Sequence, residues 1–301
     1  MKHLLTVEQL DAREIEKILA LAKDFKHERG NPKSPQPLTG QSWALIFNKS
    51  STRTRVSFEV GIRELGGSSL YLSTNEIQMG RGETPADTAR VLSQYIHGVV
   101  IRTYAQRDVE QFAEAGTIPV VNALTDEEHP CQILADLFTI EEKLGSLKGR
   151  KVVFFGDGAC NVCNSWLFGS VKTGMEMWVA APKEFQPSLE FIRRAGGQIH
   201  VTEDIAAAAK NADVLYTDVW ISMGKEAEAI ERLKALAPYQ ISASVVKQAK
   251  PDALVMHCLP AYPGKEIASD VFQDHRKTII DQAGNRLHVQ KAIMALLAGN
   301  R

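Results

Sequence analysis

The sequence has few cysteines, no excess of either charge and no long apolar run, and each shortage excludes a class of protein. Four cysteines in 301 residues are too few for a disulfide-stabilised scaffold, so we expect a reducing, cytoplasmic setting. The 35 basic and 36 acidic side chains give a net charge of −1. This balance argues against nucleic-acid and membrane partners, because both favour a basic excess. No apolar run approaches the roughly 18 residues that span a bilayer, and the N-terminus is typical of an amphipathic helix rather than a signal peptide.

Strand and helix patterns alternate along the chain, which predicts an α/β protein. The predicted strands lie at residues 42–47, 69–72, 98–102, 118–122, 151–155, 177–180, 198–201, 214–218, 253–257 and 278–280. The predicted helices include residues 56–65, 108–115, 130–144, 164–173, 187–195 and 285–298.

The pattern restarts after a polar hinge at residues 148–150, which predicts two similar-sized domains. We expect residues 1–147 and 148–284 each to form a mostly parallel sheet flanked by helices, with the active site in the cleft between them. Residues 285–301 are expected to form a helix that packs back on the first domain. Parallel sheets bind ligands at the carboxyl ends of their strands, so polar residues that follow strands are the candidates for chemistry.

The first such segment, residues 51–55, reads Ser-Thr-Arg-Thr-Arg and joins a strand to a helix. Hydroxyls, two guanidiniums and free helix N–H groups there can hold a phosphate without a metal. The alternative is a capped helix with solvated arginines. Arg102 ends another strand, and His129 and Gln132 flank the turn fixed by Pro130, but each of these also fits a structural role.

Residues 156–161 read Gly-Asp-Gly-Ala-Cys-Asn and resemble half of a dinucleotide fingerprint. Asn161 replaces the third glycine and no acid ends the next strand, which disfavours nicotinamide binding. Cys160 and Cys163 have the spacing of a redox pair or half a zinc site, but no second such pair accompanies them. We therefore expect no metal and no cofactor, and interpret both cysteines as structural.

Two later strands also end in polar residues. Asp218 can bind a substrate ammonium or simply cap a turn. Cys258 suggests a nucleophile with His257 as its base, but adjacent strand residues point to opposite faces, so covalent catalysis is disfavoured. The Leu259–Pro260 bond is a candidate cis peptide.

In this order the segments resemble the aspartate/ornithine carbamoyltransferase family, from about Leu38 to Leu297. Ser-Thr-Arg-Thr-Arg and the His-Pro-x-Gln at 129–132 mark the carbamoyl phosphate half. Asp218 with the Ser-Met-Gly at 222–224, and His-Cys-Leu-Pro at 257–260, mark the ornithine branch. Ornithine enzymes usually carry Gly-Asp-Gly-Asn-Asn where this chain has one residue more and one Asn fewer. Either Asn161 or Asn164 therefore takes the place of the substrate-binding Asn.

The resemblance implies transfer of a carbamoyl group from carbamoyl phosphate to the δ-amine of L-ornithine. Citrulline and phosphate would form through a tetrahedral intermediate, in arginine biosynthesis, although the residues leave the catabolic direction open. The catalytic residues it implies are Arg102, His129, Asp218 and Cys258. Those for carbamoyl phosphate are Ser51, Thr52, Arg53, Thr54, Gln78, Arg102, His129, Gln132, Cys258, Leu259 and Arg286. Those for ornithine are Asn161, Asp218, Ser222 and Met223. A homotrimer is also implied, with Gln78 reaching into a neighbouring subunit's site.

Two alternatives stay open on the sequence, and a third, aspartate as the acceptor, is disfavoured. Putrescine or another amine is a possible acceptor, although Asp218 with residues 222–224 favours a substrate that has an α-amino acid end. Aspartate would need a cationic pocket, which Asp218 and Cys258 do not offer. A catalytically inactive regulatory binding protein would be expected to have lost part of the phosphate set, which is intact.

Overall fold

The computed structural model of the protein describes residues 1–73, 82–221 and 229–299. The chain divides into two compact units, Met1–Phe138 with Asn285–Arg301, and Thr139–Gly284. Each unit is built around a parallel sheet, so the predicted α/β class with two parallel-sheet domains is confirmed. The structure divides the chain after Phe138, whereas the polar hinge in the sequence puts the boundary at residue 147.

The described strands of the first unit are β1 (Ser42–Phe47), β2 (Ser68–Ser73), β3 (Gly98–Arg102) and β4 (Val120–Leu124). They pair in the order β2-β1-β3-β4, all parallel. The chain moves outward from β1 to β2 and then crosses to β3 on the other side. The carboxyl ends of β1 and β3 thus form a topological switch point, where open α/β sheets bind their ligands.

The described strands of the second unit are β5 (Lys151–Phe155), β6 (Glu176–Ala180), β7 (Ile199–Thr202), β8 (Val214–Thr217) and β9 (Leu254–His257). Their order is β7-β6-β5-β8-β9, again all parallel. The direction of winding reverses after β7, so the switch point of this sheet lies between β5 and β8. Strands β1, β3, β5, β8 and β9 are almost continuously apolar and buried, whereas the edge strands β2 and β7 are only partly buried.

The described α-helices follow the strands in alternation. They are α1 (Ala12–His27), α2 (Thr52–Glu64), α3 (Pro85–Leu92), α4 (Gln106–Ala115), α5 (Pro130–Leu144), α6 (Asn161–Lys172), α7 (Leu189–Ala195), α8 (Ile205–Ala209), α9 (Ala229–Leu236), α10 (Ala243–Val246), α11 (Ser269–Asp274) and α12 (Arg276–Ala298). None of the helices in the described residues has the length and apolar character needed to cross a membrane.

Four helices begin earlier than the sequence predicts, among them α4, at Gln106 rather than residue 108, and α12, at Arg276 rather than residue 285. Helix α2 starts at Thr52 rather than residue 56 because the Ser51 side chain caps it, and α6 starts at Asn161 rather than residue 164 because Cys160 caps it. The polar residues that the sequence assigns to ligand binding therefore form the first turns of α2 and α6. Free backbone N–H groups of a first turn favour anions.

One predicted strand is wrong and one is displaced. Residues 278–280 lie inside α12, because a run of three β-branched residues is too short to distinguish a strand from a buried helix turn. The fourth strand begins at Val120 instead of residue 118. Val120 pairs with Val99, whereas Pro119 has no N–H to donate to the sheet.

Gly98 tests the packing of the first sheet. A Cβ at this position would lie 2.6 Å from ring atoms of the fully buried Trp43. Gly98→Ala should lower the free energy of unfolding by about 1–3 kcal/mol because the core must shift to admit the methyl group. The matched control is Gly284→Ala in α12, which meets nothing within 4 Å and should gain about 0.5–1 kcal/mol. Urea denaturation of both variants measures the difference, and an unchanged Gly98→Ala protein would refute this packing.

The stability of the first unit should depend on pH through His288. Burial, followed by the charges of Lys26 and Lys291, lowers the pKa of His288 from 6.5 to about 4. Between these values the unfolded chain binds the proton and the folded chain does not, so stability is lost as pH falls from 6.5 towards 4. His288→Gln should remove about 2 kcal/mol of the loss between about pH 7.5 and about pH 5. If the thermal unfolding midpoint falls equally with decreasing pH in the variant and in the wild type, the assignment to His288 is contradicted.

Candidate active site

The N-terminus of α2 presents hydroxyls and backbone N–H groups at the carboxyl end of β1. The Ser51 hydroxyl accepts a hydrogen bond from the Thr54 N–H at 3.3 Å and donates to the Thr54 hydroxyl at 2.9 Å. Thr54 is fully buried, whereas Thr52 and Arg53 are exposed. This arrangement offers hydroxyls and free N–H groups that can bind an anion, as the sequence predicts.

Arg286 of α12 belongs to the same group. Its guanidinium donates to the Thr54 hydroxyl at 2.8 Å, although the two residues are far apart in the sequence. The Thr54 oxygen thus accepts from both Ser51 and Arg286, which directs its own proton to a further acceptor. Arg286 is itself buried, so its charge acts in surroundings where electrostatic interactions are strong.

His129 lies close to two buried arginines. Burial is the main cause that lowers the pKa of His129 well below 6.5, and the charges of Arg286 and Arg102 lower it further. The imidazole is therefore neutral at physiological pH and can donate one hydrogen bond while it accepts another. Arg102, at the end of β3, is buried as well. The structure thus gathers Ser51, Thr54, Arg102, His129 and Arg286.

Gln132 lies one turn into α5, after the turn at His129. Its amide nitrogen donates to the Asp136 carboxylate at 2.8 Å. Its amide oxygen is buried and has no hydrogen-bond partner among the described residues. A buried acceptor of this kind costs stability unless a ligand or water supplies a donor. The N–H₂ group of a carbamoyl substrate has the matching chemistry.

The two arginines of the 51–55 segment are not equivalent. Arg55 donates to Glu59 at 3.0 Å, and its guanidinium stacks 3.6 Å from the ring centroid of Tyr71. Arg53 is exposed and makes no hydrogen bond or ion pair with the described residues. The expectation that both guanidiniums converge on an anion is therefore corrected, because Arg55 is occupied along its own helix and by the neighbouring strand.

Sequence reasoning missed Lys49, which follows β1 directly before the phosphate segment. Its side chain is buried, forms an ion pair with Asp126 and lies 4.2 Å from the ring centroid of Tyr104. A lysine two residues after an apolar strand was the available signal. Its charge adds to the positive potential at this edge of the sheet.

In the second unit, Asp218 follows β8 and meets Cys258, which follows β9. The Cys258 thiol donates to the Asp218 carboxylate at 2.8 Å, and the Val219 N–H donates to the same oxygen at 2.7 Å. Burial raises the pKa of Asp218, while the His257 ring and the thiol hydrogen bond act in the opposite direction. Within the described residues no lysine or arginine pairs with Asp218. This carboxylate would be stabilised by a cationic ligand.

His257 is engaged on both ring nitrogens. Nδ1 accepts from the Leu259 N–H at 2.8 Å, and Nε2 lies 3.2 Å from the carboxylate of Glu266, which sequence reasoning missed. His257 cannot then serve as the base for Cys258, whose thiol faces Asp218. This agrees with the argument against covalent catalysis. Leu259 has a φ of 59° and its bond to Pro260 is cis.

The asparagines and cysteines after β5 lie at the start of α6. Asn161 is half-buried in the first turn, whereas Asn164 is buried one turn further on. Cys160 accepts from the Cys163 N–H at 3.4 Å, and both thiols are free and buried. Burial raises the pKa of each thiol well above 9.0, so neither is a reactive thiolate.

A single group of potential metal ligands was found in the described part of the chain, formed by Asp218, His257 and Cys258, whose ligand atoms lie within 4.8 Å of one another. Cys258 and Asp218 are already hydrogen-bonded to each other, and both ring nitrogens of His257 are engaged by Leu259 and Glu266. Three predicted site residues, Gln78, Ser222 and Met223, lie outside the described residues.

The switch point of each unit thus carries groups that suit a different kind of ligand. The first gathers buried cations and a helix N-terminus, which suit an anion such as a phosphate. The second presents a carboxylate with a raised pKa, which suits an ammonium group.

Comparison with known families gives matches over nearly the whole chain. The carbamoyl phosphate-binding domain of aspartate/ornithine carbamoyltransferases matches residues 2–142, and the aspartate/ornithine-binding domain matches residues 148–297.

Individual relatives agree with the family models. The ornithine carbamoyltransferase of Akkermansia muciniphila is 50% identical over 100% of this chain and 99% of its own. The structure of ornithine carbamoyltransferase from Pyrococcus furiosus superposes with a TM-score of 0.94 at 47% identity, covering 100% of this chain and 98% of that one. The anabolic ornithine carbamoyltransferase of Campylobacter jejuni gives a TM-score of 0.94 at 38% identity, with both chains covered completely. The chain belongs to the aspartate/ornithine carbamoyltransferase family.

Proposed function

We propose that the protein transfers the carbamoyl group of carbamoyl phosphate to the δ-amine of L-ornithine, giving L-citrulline and phosphate. Asp218 carries the proposal: it is a carboxylate with a raised pKa, bonded to Cys258 and lacking a lysine or arginine partner among the described residues. The full-length match to ornithine carbamoyltransferases supports the same acceptor. Phosphate release from carbamoyl phosphate that depends on ornithine, with citrulline as product, is the direct test.

The first unit supplies the carbamoyl phosphate site. The phosphate binds the first turn of α2 through Ser51, Thr52, Arg53 and Thr54, with Gln78 as an additional contact from a neighbouring subunit. Arg102, His129, Gln132 and Arg286 bind the carbamoyl end. Burial, followed by the charges of Arg286 and Arg102, lowers the pKa of His129 and keeps its ring neutral, so the ring donates a hydrogen bond without adding another charge.

The second unit supplies the ornithine site. Asp218 binds an ammonium of the substrate, and Asn161, Ser222 and Met223 bind the rest of its amino acid end. Asn161 is preferred to Asn164 because Asn161 is partly exposed at the helix start. Cys258 and the Leu259 carbonyl lie on the segment after β9 and approach the reacting amine and the carbamoyl group.

The reaction proceeds by direct attack. The neutral δ-amine forms a bond to the carbamoyl carbon and a tetrahedral oxyanion develops. The oxyanion collapses to the carbonyl, the C–O bond to phosphate breaks, and the nitrogen passes its proton to the departing phosphate. Arg102, His129 and Thr54 donate to the oxyanion, and one such donor typically contributes about 3 kcal/mol. An alkylammonium has a pKa of about 10.4 in water, so activity should rise with pH as the amine is deprotonated. The protein itself supplies the donors, and positioning of both substrates supplies the rest.

The direction we propose is arginine biosynthesis. Relatives from Pyrococcus furiosus and Campylobacter jejuni carry the word anabolic in their names. Putrescine is a weaker candidate because it lacks the α-amino acid end, and a non-catalytic role is disfavoured because the phosphate set is intact.

We also propose a cytoplasmic homotrimer. Four free, buried cysteines suit a reducing compartment. Large apolar side chains of the first unit remain exposed, among them Val56, Leu70 and Tyr95, and provide surface for another copy of the chain. Sedimentation analysis should give three times the mass of the chain, and a monomer would contradict this part of the proposal.

Arg53 tests the phosphate site. Arg53→Ala should lower kcat/KM by roughly 10²–10³ and raise the KM for carbamoyl phosphate, because an exposed guanidinium at the helix start no longer balances the phosphate charge. Arg55→Ala is the matched control, since Arg55 is bound to Glu59 and Tyr71 and its removal should change kcat/KM by less than about threefold. Steady-state kinetics of both variants decides the matter. Equal effects of the two substitutions would refute the assignment.

Asp218 tests the acceptor site. Asp218→Asn keeps the shape but removes the charge that pairs with an ammonium, so the KM for ornithine should rise by at least about tenfold while that for carbamoyl phosphate stays nearly constant. Turnover should fall as well, because the Cys258 thiol loses its charged acceptor. If ornithine affinity and turnover both stay within about threefold of wild type, Asp218 is only a turn cap.

A further inference from the structure

Two loops of the second unit carry the ornithine residues, and a buried contact joins them. One loop runs from Gly156 to the start of α6 and delivers Asn161. The other follows β8 and contains Asp218 and Trp220. A Cβ on Gly156, which has a φ of 106°, would lie 2.7 Å from the Trp220 indole nitrogen, so only glycine lets the loops approach this closely.

Arg232, in α9, binds both loops at once. Its Nε donates to the Trp220 carbonyl at 2.8 Å, and its guanidinium forms a buried ion pair with Asp157. Arg232 and Asp157 are 4% and 3% exposed, and the guanidinium lies 4.7 Å from the ring centroid of Phe185. A planar guanidinium can serve two acceptors in fixed directions, which an ammonium cannot reproduce.

Asp157 connects the ion pair with Arg232 to the start of α6, where Asn161 lies. Its other oxygen accepts from the Ala159 N–H at 3.1 Å, and its carbonyl accepts from the Cys160 N–H at 3.4 Å. Cys160 caps α6, whose first residue is Asn161. The position of Arg232 therefore affects the start of α6 and, through Trp220, the backbone two residues after Asp218.

A second buried acid, Asp213, lies at the amino ends of β5 and β8, the strands that precede the two loops. Asp213, just before β8, pairs with Arg150, just before β5, at 2.8 Å and with Lys250 at 2.8 Å. The Arg150–Asp213 pair holds the amino ends of β5 and β8, where parallel sheets do not bind ligands. Arg232–Asp157 lies at their carboxyl ends, where they do.

We propose that Arg232 is a positioning residue for the amino acid substrate, which fixes the spacing of the Asn161 and Asp218 loops without touching the ligand. This inference rests on the proposed function. It predicts that loss of Arg232 impairs ornithine binding far more than carbamoyl phosphate binding, because most residues of the latter site are assigned to the first unit.

The experiment compares Arg232→Met, Arg232→Lys, Asp157→Asn and the double variant Asp157→Asn/Arg232→Met. A single loss leaves a buried charge unpaired and lowers stability, whereas the double variant removes both charges. The KM for ornithine should rise by at least about tenfold in Arg232→Met and stay raised in the double variant even where its thermal stability recovers. Arg232→Lys should be closer to wild type in thermal stability than in affinity for ornithine, because an ammonium keeps the charge but does not bind both loops in fixed directions. The Kd for L-norvaline, which has the amino acid end but no δ-amine, should rise in parallel.

Arg150→Met is the matched control. It also breaks a pair with a buried acid of the same unit, so it should lower the unfolding temperature while the KM for ornithine stays within about threefold of wild type. If ornithine affinity recovers together with stability in the double variant, or if Arg150→Met impairs it equally, Arg232 has only a structural role. A wild-type protein that shows no ornithine-dependent phosphate release refutes the proposed function instead, which separates the two failures.

Discussion

The chemistry of the candidate site depends on the charged side chains that lie at the carboxyl ends of two parallel sheets. A parallel sheet covered on both faces leaves polar residues few places other than the ends of its strands, and the reversal of winding opens a gap there. In the first unit that position holds Arg102 and the start of α2, joined by Arg286. In the second it holds Asp218. The opposite signs of the two sets match the phosphate of one proposed substrate and the ammonium of the other.

The protonation states and hydrogen-bonding capacities of individual side chains follow from this placement of charge. Burial, with the charges of Arg286 and Arg102, lowers the pKa of His129 and keeps its ring uncharged. Burial raises the pKa of Asp218, and the hydrogen bonds from Cys258 and Val219 limit that rise. The buried amide oxygen of Gln132 has no hydrogen-bond donor among the described residues and can accept one from a ligand. Such pre-arranged groups lower the reorganisation needed when charge develops in the transition state.

Sequence reasoning reached the fold class and most strands because long apolar runs between glycine and proline signals leave few alternatives. It found Asp218 because this residue follows such a run directly, and Ser51 and Thr54 because they lie where a strand is joined to a helix. It misplaced residues 278–280 because three apolar residues have no measurable period. It missed Glu266 and Arg232, since neither follows a strand and their partners, His257 and Asp157, are known only from the folded chain. The roles of the site residues stay predictions.

The central claim is that the two oppositely charged residue sets bind the two substrates. A crystal structure with carbamoyl phosphate and L-norvaline tests it most directly, because norvaline cannot react. The account predicts phosphate oxygens within hydrogen-bond distance of Arg53 and the first N–H groups of α2. It also predicts the norvaline ammonium within hydrogen-bond distance of the Asp218 carboxylate. Phosphate bound elsewhere, or an ammonium without contact to Asp218, would contradict it.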